Sequence, residues 1–228
     1  LAALPPGETD LTGPAAQRRR RLQRIVGDLF SGAAYQELLT PTFEYEEVFL
    51  LAGGPEIAER LIRFPDRDGR ILALRYDFTA SLARVAATTF RGAPGPLRLC
   101  YSGKVFRQEP ERGGRPRETL QAGAELIGEA GLDADIEIVR LTLALARAAG
   151  LSDFQLNLGH VGALRPGLSA IPGEDRGAVR RWIDRKDRGN LSRALAGRSA
   201  LAASLGALAF VIGRRPALEQ ARAVAPAE

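Results

Sequence analysis

The sequence predicts an α+β fold, an antiparallel sheet flanked by helices with an α-helical insertion toward the C-terminal end. Three observations carry this. Residues 97–127 read as two long strands joined by a charged, glycine-bearing loop. Residues 14–31 and 133–149 repeat apolar side chains at helical spacing. After residue 163 the chain is Ala-rich and Arg-dotted, with no further strand signal. Residues 1–163 are therefore read as the core and 164–228 as a helical subdomain.

The elements follow in order. Thr12-Gly13-Pro14 starts a helix, with proline in the first turn, and Leu22, Ile25, Val26, Leu29 and Phe30 line one face before Gly32 ends it. Tyr35 to Tyr45 is extended and broken by Pro41; Glu46 to Leu51 is a short helix stopped by Gly53-Gly54-Pro55. Leu61–Phe64 and Arg70–Leu74 flank Asp66-Arg67-Asp68-Gly69 as a hairpin. Phe78 to Phe90 is a helix, and Asp133 to Ala149 is another, closed by Gly150. Phe154 to Leu158 is a short strand. Pro172-Gly173, Gly189-Asn190, Gly213 and Pro216 divide the remainder into short helices.

Composition narrows the classes. The chain has 228 residues, 45% of them hydrophobic, and a formal charge of +5. Nearly all its basic residues are arginine, and a surplus of this size is weak support for a nucleic-acid partner. The run Arg18 to Arg21 spreads around a helix and is read as a solvated face. Cys100 is the only cysteine, so no disulfide forms within the chain, and a reducing cytoplasm is expected. His160 is the only histidine, which leaves neither a zinc site of several His or Cys ligands nor a nucleophile-elbow triad. No apolar run reaches the roughly 20 residues of a membrane span, and the first ten residues lack a signal-peptide pattern. No membrane association is expected.

The strand at 117–127 alternates. Arg117, Thr119, Gln121, Gly123 and Glu125 form a polar face; Glu118, Leu120, Ala122, Ala124 and Leu126 form a mostly apolar one. Gln121 and Glu125 stand about 13 Å apart along the strand, with Gly123 leaving room between them. Tyr101, Gly103, Val105, Arg107 and Glu109 share one parity on the preceding strand, and Arg112, Arg115 and Arg117 charge the loop. This pattern suits a small anionic ligand such as a nucleotide. A solvated antiparallel sheet with a charged turn is the simpler reading of the spacing alone.

Four segments in order resemble the catalytic core of class II aminoacyl-tRNA synthetases, and closely the histidyl branch. Tyr35 to Glu44, with Pro41, is similar to the first class II motif; Leu74-Arg75-Tyr76-Asp77-Phe78-Thr79 to the segment holding the amino acid's ammonium; Phe106 to Glu109 and Arg115 to Glu118 to the second motif; and Gln121-Ala-Gly-Ala-Glu125 to the histidyl substrate strand. The branch contains histidyl-tRNA synthetases and the regulatory subunits of ATP phosphoribosyltransferase. Asp77, where synthetases usually carry Glu, and the stretches Leu99 to Arg107, Gln121 to Gly128 and Asn157 to Gly162 are more similar to the second group. Tyr76 and Phe78 depart from the usual residues, and Thr119-Leu120 replaces an aromatic that frames adenine. The third class II motif does not occur before Glu228, so the core is expected to be incomplete.

The resemblance implies a non-catalytic, histidine-sensing subunit that assembles with a short-form ATP phosphoribosyltransferase catalytic subunit and with itself as a dimer within a hetero-oligomer. It implies a histidine site of Asp77, Thr79, Arg107, Gln121 and Glu125. There Asp77 would pair with the ammonium, Thr79 accept from it or order a water, Arg107 face the carboxylate, Gln121 donate to an oxygen and Glu125 hold an imidazole N–H. Glu109, Arg115 and Arg117 are possible nucleotide or anion contacts. Pro41, Thr42 and Phe43 are placed in the dimer interface. No catalytic residue, metal or cofactor is expected, and tRNA is not an expected partner; ATP and magnesium enter only if the chain is a synthetase. A dimeric interaction module without a ligand is the third reading. Taken singly, the residues have plainer roles: Asp77 as a helix cap, Thr79 as a first-turn surface residue, Arg107 as a cross-strand partner, and His160 as a structural residue at a strand-to-helix junction.

Overall fold

A computed structural model describes residues 4, 5, 7–108, 116–210, 216 and 219. The chain divides into two compact units, Leu1–Phe154 and Gln155–Glu228.

Helix α1, Gly13–Gly32, begins with proline in its first turn and buries Val26 and Phe30. Gly32 is its last residue, as expected, and the chain reverses at Ala34, whose φ of 62° is left-handed. The reversal is held by the Tyr35 N–H, which donates to the Phe30 carbonyl at 2.9 Å. Strand β1 is Gln36–Glu37, and β2, Phe43–Tyr45, leads directly into α2, Glu46–Gly53. A 3-10 turn at Pro55–Arg60 precedes β3, Arg63–Pro65, and β4, Ile71–Leu74. These two form the expected hairpin, in which Gly69 takes a φ of +84° and the Asp66 N–H donates to the Arg70 carbonyl at 2.8 Å. Helix α3 is Thr79–Thr88; β5, Leu97–Phe106, and β6, Glu118–Ile127, are the long antiparallel pair; α4 is Leu132–Ala148.

Two three-stranded sheets result among the described residues, ordered β1-β5-β6 and β2-β4-β3. β1 runs parallel to β5 and β6 antiparallel to it. One face of this sheet presents the small side chains Cys100, Ala122 and Ala124, over which α1 and α4 pack through Val26, Phe30, Ile138, Leu141 and Leu145. The other face presents Leu99, Tyr101 and Val105 to Phe78 and Leu82 at the start of α3. In the second sheet the alternation puts Glu44 and Ala73 inward and Phe43 and Phe64 outward, their rings 6.0 Å apart edge to face. The buried Glu44 carboxylate takes both prongs of Arg84, at 2.9 and 2.6 Å, which ties α3 to β2. The sheets are joined where the Phe106 N–H donates to the Arg75 carbonyl at 2.8 Å, so residues 75–79 lie beside β5.

The second unit is helical. A 3-10 turn at Val161–Leu164 leads into α5, Arg165–Ser169, followed by α6, Gly173–Asp184, α7, Arg188–Leu195, and α8, Ala200–Leu208; together they enclose Leu168, Ile171, Val179, Ile183, Leu191, Leu195, Ala202 and Leu205. Three sequence expectations are corrected here. Residues 154–158 form no strand; they are exposed apart from the half-buried Phe154, and among the described residues no neighbouring strand supplies their hydrogen bonds. His160 accordingly starts the 3-10 turn rather than a strand-to-helix junction. Gly189-Asn190 lies inside α7 rather than between helices. The break falls at Lys186, φ 57°, and Asp187 caps α7 by accepting the Asn190 N–H at 3.0 Å. Gly213 lies outside the described residues. Among the described residues no helix is long and apolar enough to cross a membrane.

Candidate functional site

Residues 75–79 bring a stack of three planar groups against the long hairpin. Arg75 is 6% exposed and spends its guanidinium on neutral oxygens: the carbonyls of Thr40 and Pro41 at 3.0 Å each, the Thr40 hydroxyl at 3.2 Å, and the Lys104 carbonyl at 2.8 and 3.1 Å. Burial pulls its pKa down, opposed by the charge of Glu44. Its plane lies 4.0 Å from the Phe78 ring centre, and Phe78 stacks on Tyr101 at 4.3 Å and 11°.

The register of the hairpin sets Tyr101 opposite Gly123 and Gly103 opposite Gln121. Directly opposed residues share a face, so the Tyr101 side chain lies across Gly123. A methyl there would overlap the Tyr101 hydroxyl and sit 2.7 Å from its Cζ; one at Gly103 would sit 2.8 Å from Phe78 Cζ. The room that Gly123 opens is thus filled by Tyr101. A ligand must sit beside this ring, not directly over Gly123 between Gln121 and Glu125.

Around the Tyr101 hydroxyl the predicted residues gather. Gln121 Nε2 donates to it at 3.2 Å, while Gln121 Oε1 is buried and has no partner among the described residues. Thr79 Oγ1 donates to Glu125 Oε1 at 2.7 Å. Burial pushes the Tyr101 phenol up, opposed by its hydrogen bonding with Gln121; the charges of Glu125 and Asp77 also raise it. Asp77 Oδ1 accepts the Ala80 N–H at 3.2 Å, which realises its plainer role as a helix cap and leaves Oδ2 available.

Arg107 makes its contacts with Tyr76 and Arg117 rather than with this cluster. Its Nε donates to the Tyr76 carbonyl at 3.2 Å, its guanidinium lies 4.9 Å from the Tyr76 ring centre, and its N–H donates to the Arg117 carbonyl at 2.9 Å. Glu109 and Arg115 lie outside the described residues. Pro41, Thr42 and Phe43 are exposed, Phe43 by half. Among the described residues no group of three or more His, Cys, Asp and Glu could hold a metal ion.

Sequence reasoning missed Tyr101, Phe78 and Arg75. A signal existed in the shared parity of Tyr101 and Gly103, but placing Tyr101 over Gly123 required the register. The polar groups beside Tyr101 are rich in acceptors: the Gln121 amide oxygen and the carboxylates of Glu125 and Asp77. Such an arrangement suits a ligand that supplies several N–H groups.

A model of the family described as Histidyl-tRNA synthetase matches residues 7–228. The ATP phosphoribosyltransferase regulatory subunit of Moorella thermoacetica is 42% identical over 228 residues, covering 96% of this chain and 58% of that protein. The histidine–tRNA ligase of Thermococcus kodakarensis is 39% identical over 182 residues, covering 80% of this chain and 42% of that protein. The crystal structure of an ATP phosphoribosyltransferase regulatory subunit/histidyl-tRNA synthetase from Bacillus halodurans superposes with a TM-score of 0.88 at 28% identity, over 99% of this chain and 60% of that one. The chain thus spans about half the length of the relatives it matches. With a family match over residues 7–228 and a fold shared at that level, the chain belongs to the histidyl-tRNA synthetase family.

Proposed function

We propose that this chain is the synthetase-like part of a histidine-sensing regulatory subunit of ATP phosphoribosyltransferase. It has no catalytic role of its own and works in the cytoplasm with a short-form catalytic subunit in the first step of histidine biosynthesis. The observation that carries this reading is the 42% identity to such a subunit along 96% of the chain. The acceptor-rich cluster of Asp77, Thr79, Gln121 and Glu125 supports it, because histidine offers an ammonium and an imidazole N–H. Arg107 would meet the carboxylate. It requires no cofactor. Regulation then demands that histidine bind one arrangement of the complex more tightly than another. The exposed Pro41, Thr42 and Phe43 would meet a second copy of the chain. Titration calorimetry on the full-length protein tests the site: histidine binding is expected, weakened about tenfold or more in Glu125→Ala, which removes a charged hydrogen-bond partner. An unchanged affinity in that variant would rule out the assignment of Glu125.

The 39% identity to a histidine–tRNA ligase favours a second reading, in which ATP and magnesium activate histidine for transfer to tRNA. Histidine-dependent pyrophosphate exchange by the full-length protein would support it; a blank would exclude it.

A further inference from the structure

We propose that the N-terminal part of α1, residues 13–24, is a docking arm that enters an acidic groove on the catalytic subunit of the complex, where Arg18, Arg19, Arg20, Arg21 and Arg24 bind carboxylates. The inference rests on the reading of this chain as part of a regulatory subunit, and names the surface through which it reaches its partner.

The arm overhangs its own unit. Helix α1 is 20 residues long, yet its buried residues, Val26 and Phe30, both lie in its C-terminal half. Gln17 to Leu22 are six exposed residues in succession, and Arg24 is exposed as well. At 3.6 residues per turn, Arg19 lies within about 20° of the directions of both Val26 and Phe30. The face that is core at one end of the helix therefore runs on into the exposed Arg19, and beside it into Leu22, which is 41% exposed. A helix that was merely solvated on its outer side would not need an arginine on this inner stripe.

The charge on the arm is concentrated and unanswered. Five of the seven residues from Arg18 to Arg24 are arginine. Among the described residues none of the five makes a side-chain hydrogen bond or ion pair. Arg18 and Arg21, Arg21 and Arg24, and Arg20 and Arg24 are like charges three or four residues apart, a spacing that weakens a free helix. The run thus destabilises the isolated chain and gains it no contact, as a surface kept for a partner does. Successive residues stand 100° apart, so the arginines ring the helix. A flat surface reaches one side of such a ring; a groove reaches several, with Leu22 at hand as an apolar anchor. The guanidinium fork matches a carboxylate bidentately. A nucleic acid is the less suited polyanion. The sequence of residues 1–154 holds 20 basic against 21 acidic residues, so outside the run the unit is net negative. A polynucleotide, charged along its whole length, would be drawn past that negative body, whereas an acidic groove ends with the arm.

The test uses the full-length protein and the short-form catalytic subunit of the same organism, with affinity read by calorimetry at low and high salt. The triple variant Arg19→Gln, Arg20→Gln, Arg21→Gln replaces exposed helical residues by another good helix former. It is expected to weaken the complex about tenfold at low salt and to flatten its salt dependence. A matched control, Arg180→Gln, Arg181→Gln, Arg185→Gln, removes the same charge from exposed positions of α6. It is expected to stay within about twofold of wild type. Relief of the like-charge contacts is expected to raise the urea midpoint of the α1 variant; a lowered midpoint would mean that the arginines support the fold, and overturns the proposal. So does a variant with wild-type affinity and salt dependence, an equal loss in the control, a loss of self-association instead, or a duplex RNA that binds through the run more tightly than the catalytic subunit does. Each of these leaves the regulatory reading standing. A wild-type protein that forms no complex with the catalytic subunit overturns that reading, and this proposal with it.

Discussion

Ala34 is a residue in the wrong conformation for its chemistry. Its left-handed φ crowds a Cβ that glycine lacks. Ala34→Gly is expected to stabilise the first unit by about 1 kcal/mol, measured as a higher urea midpoint at unchanged slope. Close by, Tyr35 and Arg98 converge on Glu137: the phenol donates at 2.8 Å and the guanidinium donates at 2.8 and 2.7 Å to the two carboxylate oxygens. The Arg98 hydrogen bonds, then that of Tyr35, hold Glu137 at about 2, below its ordinary 4.5. Burial, then the Glu137 hydrogen bond, raises Tyr35 to about 12. A depressed carboxylate stabilises the fold above its unfolded value and loses that contribution as pH falls through its folded one. The melting-temperature gap between wild type and Glu137→Gln is therefore expected to be full at pH 7 and to close between pH 4.5 and about 2. A gap that persists at the acid end would show that the cluster does not act through charge. None of this was legible in the sequence, since Tyr35, Arg98 and Glu137 come from three distant elements.

At the scale of elements, the long hairpin was legible because both strands carry their own alternation and the loop between them is charged. The β3–β4 hairpin was legible because Asp66 to Gly69 specify the turn. The strand expected at 154–158 failed for a physical reason: alternation describes which way side chains point, while a strand exists only where another strand accepts its hydrogen bonds. Helix α7 was misread because Gly189-Asn190 resembles a break, whereas the Asp187 side chain supplies a cap strong enough to hold those residues in the first turn. The site was half legible. Gln121 meets the Tyr101 hydroxyl and Thr79 meets Glu125, but Tyr101 became visible only once Gly123 was known to lie opposite it. Gly123→Ala tests this packing. Overfilling here is expected to cost about 1–3 kcal/mol in chemical denaturation, and the loss should be smaller in a Tyr101→Phe background, where the most crowded atom is gone. Equal losses in both backgrounds would place the strain elsewhere.

Across the whole molecule, each unit has its own apolar interior, and the polar cluster beside Tyr101 belongs to the first. The second is closed by helix caps and a leucine-rich core, with arginines on its exterior. Cys100 gives this division a practical consequence. It lies 4% exposed between the first sheet and helices α1 and α4, and burial pushes its thiol up, away from the reactive thiolate. As the chain's only cysteine, it is a clock set inside one half of the protein. A thiol-specific dye is expected to modify the native chain slowly, at a rate set by how often the helical layer lifts from the sheet. Histidine should slow that reaction if the ligand steadies the opposite face of the same strands. Prompt labelling in buffer would mean that the layer opens readily. A single side chain thus times the opening of the first unit while remaining blind to the second.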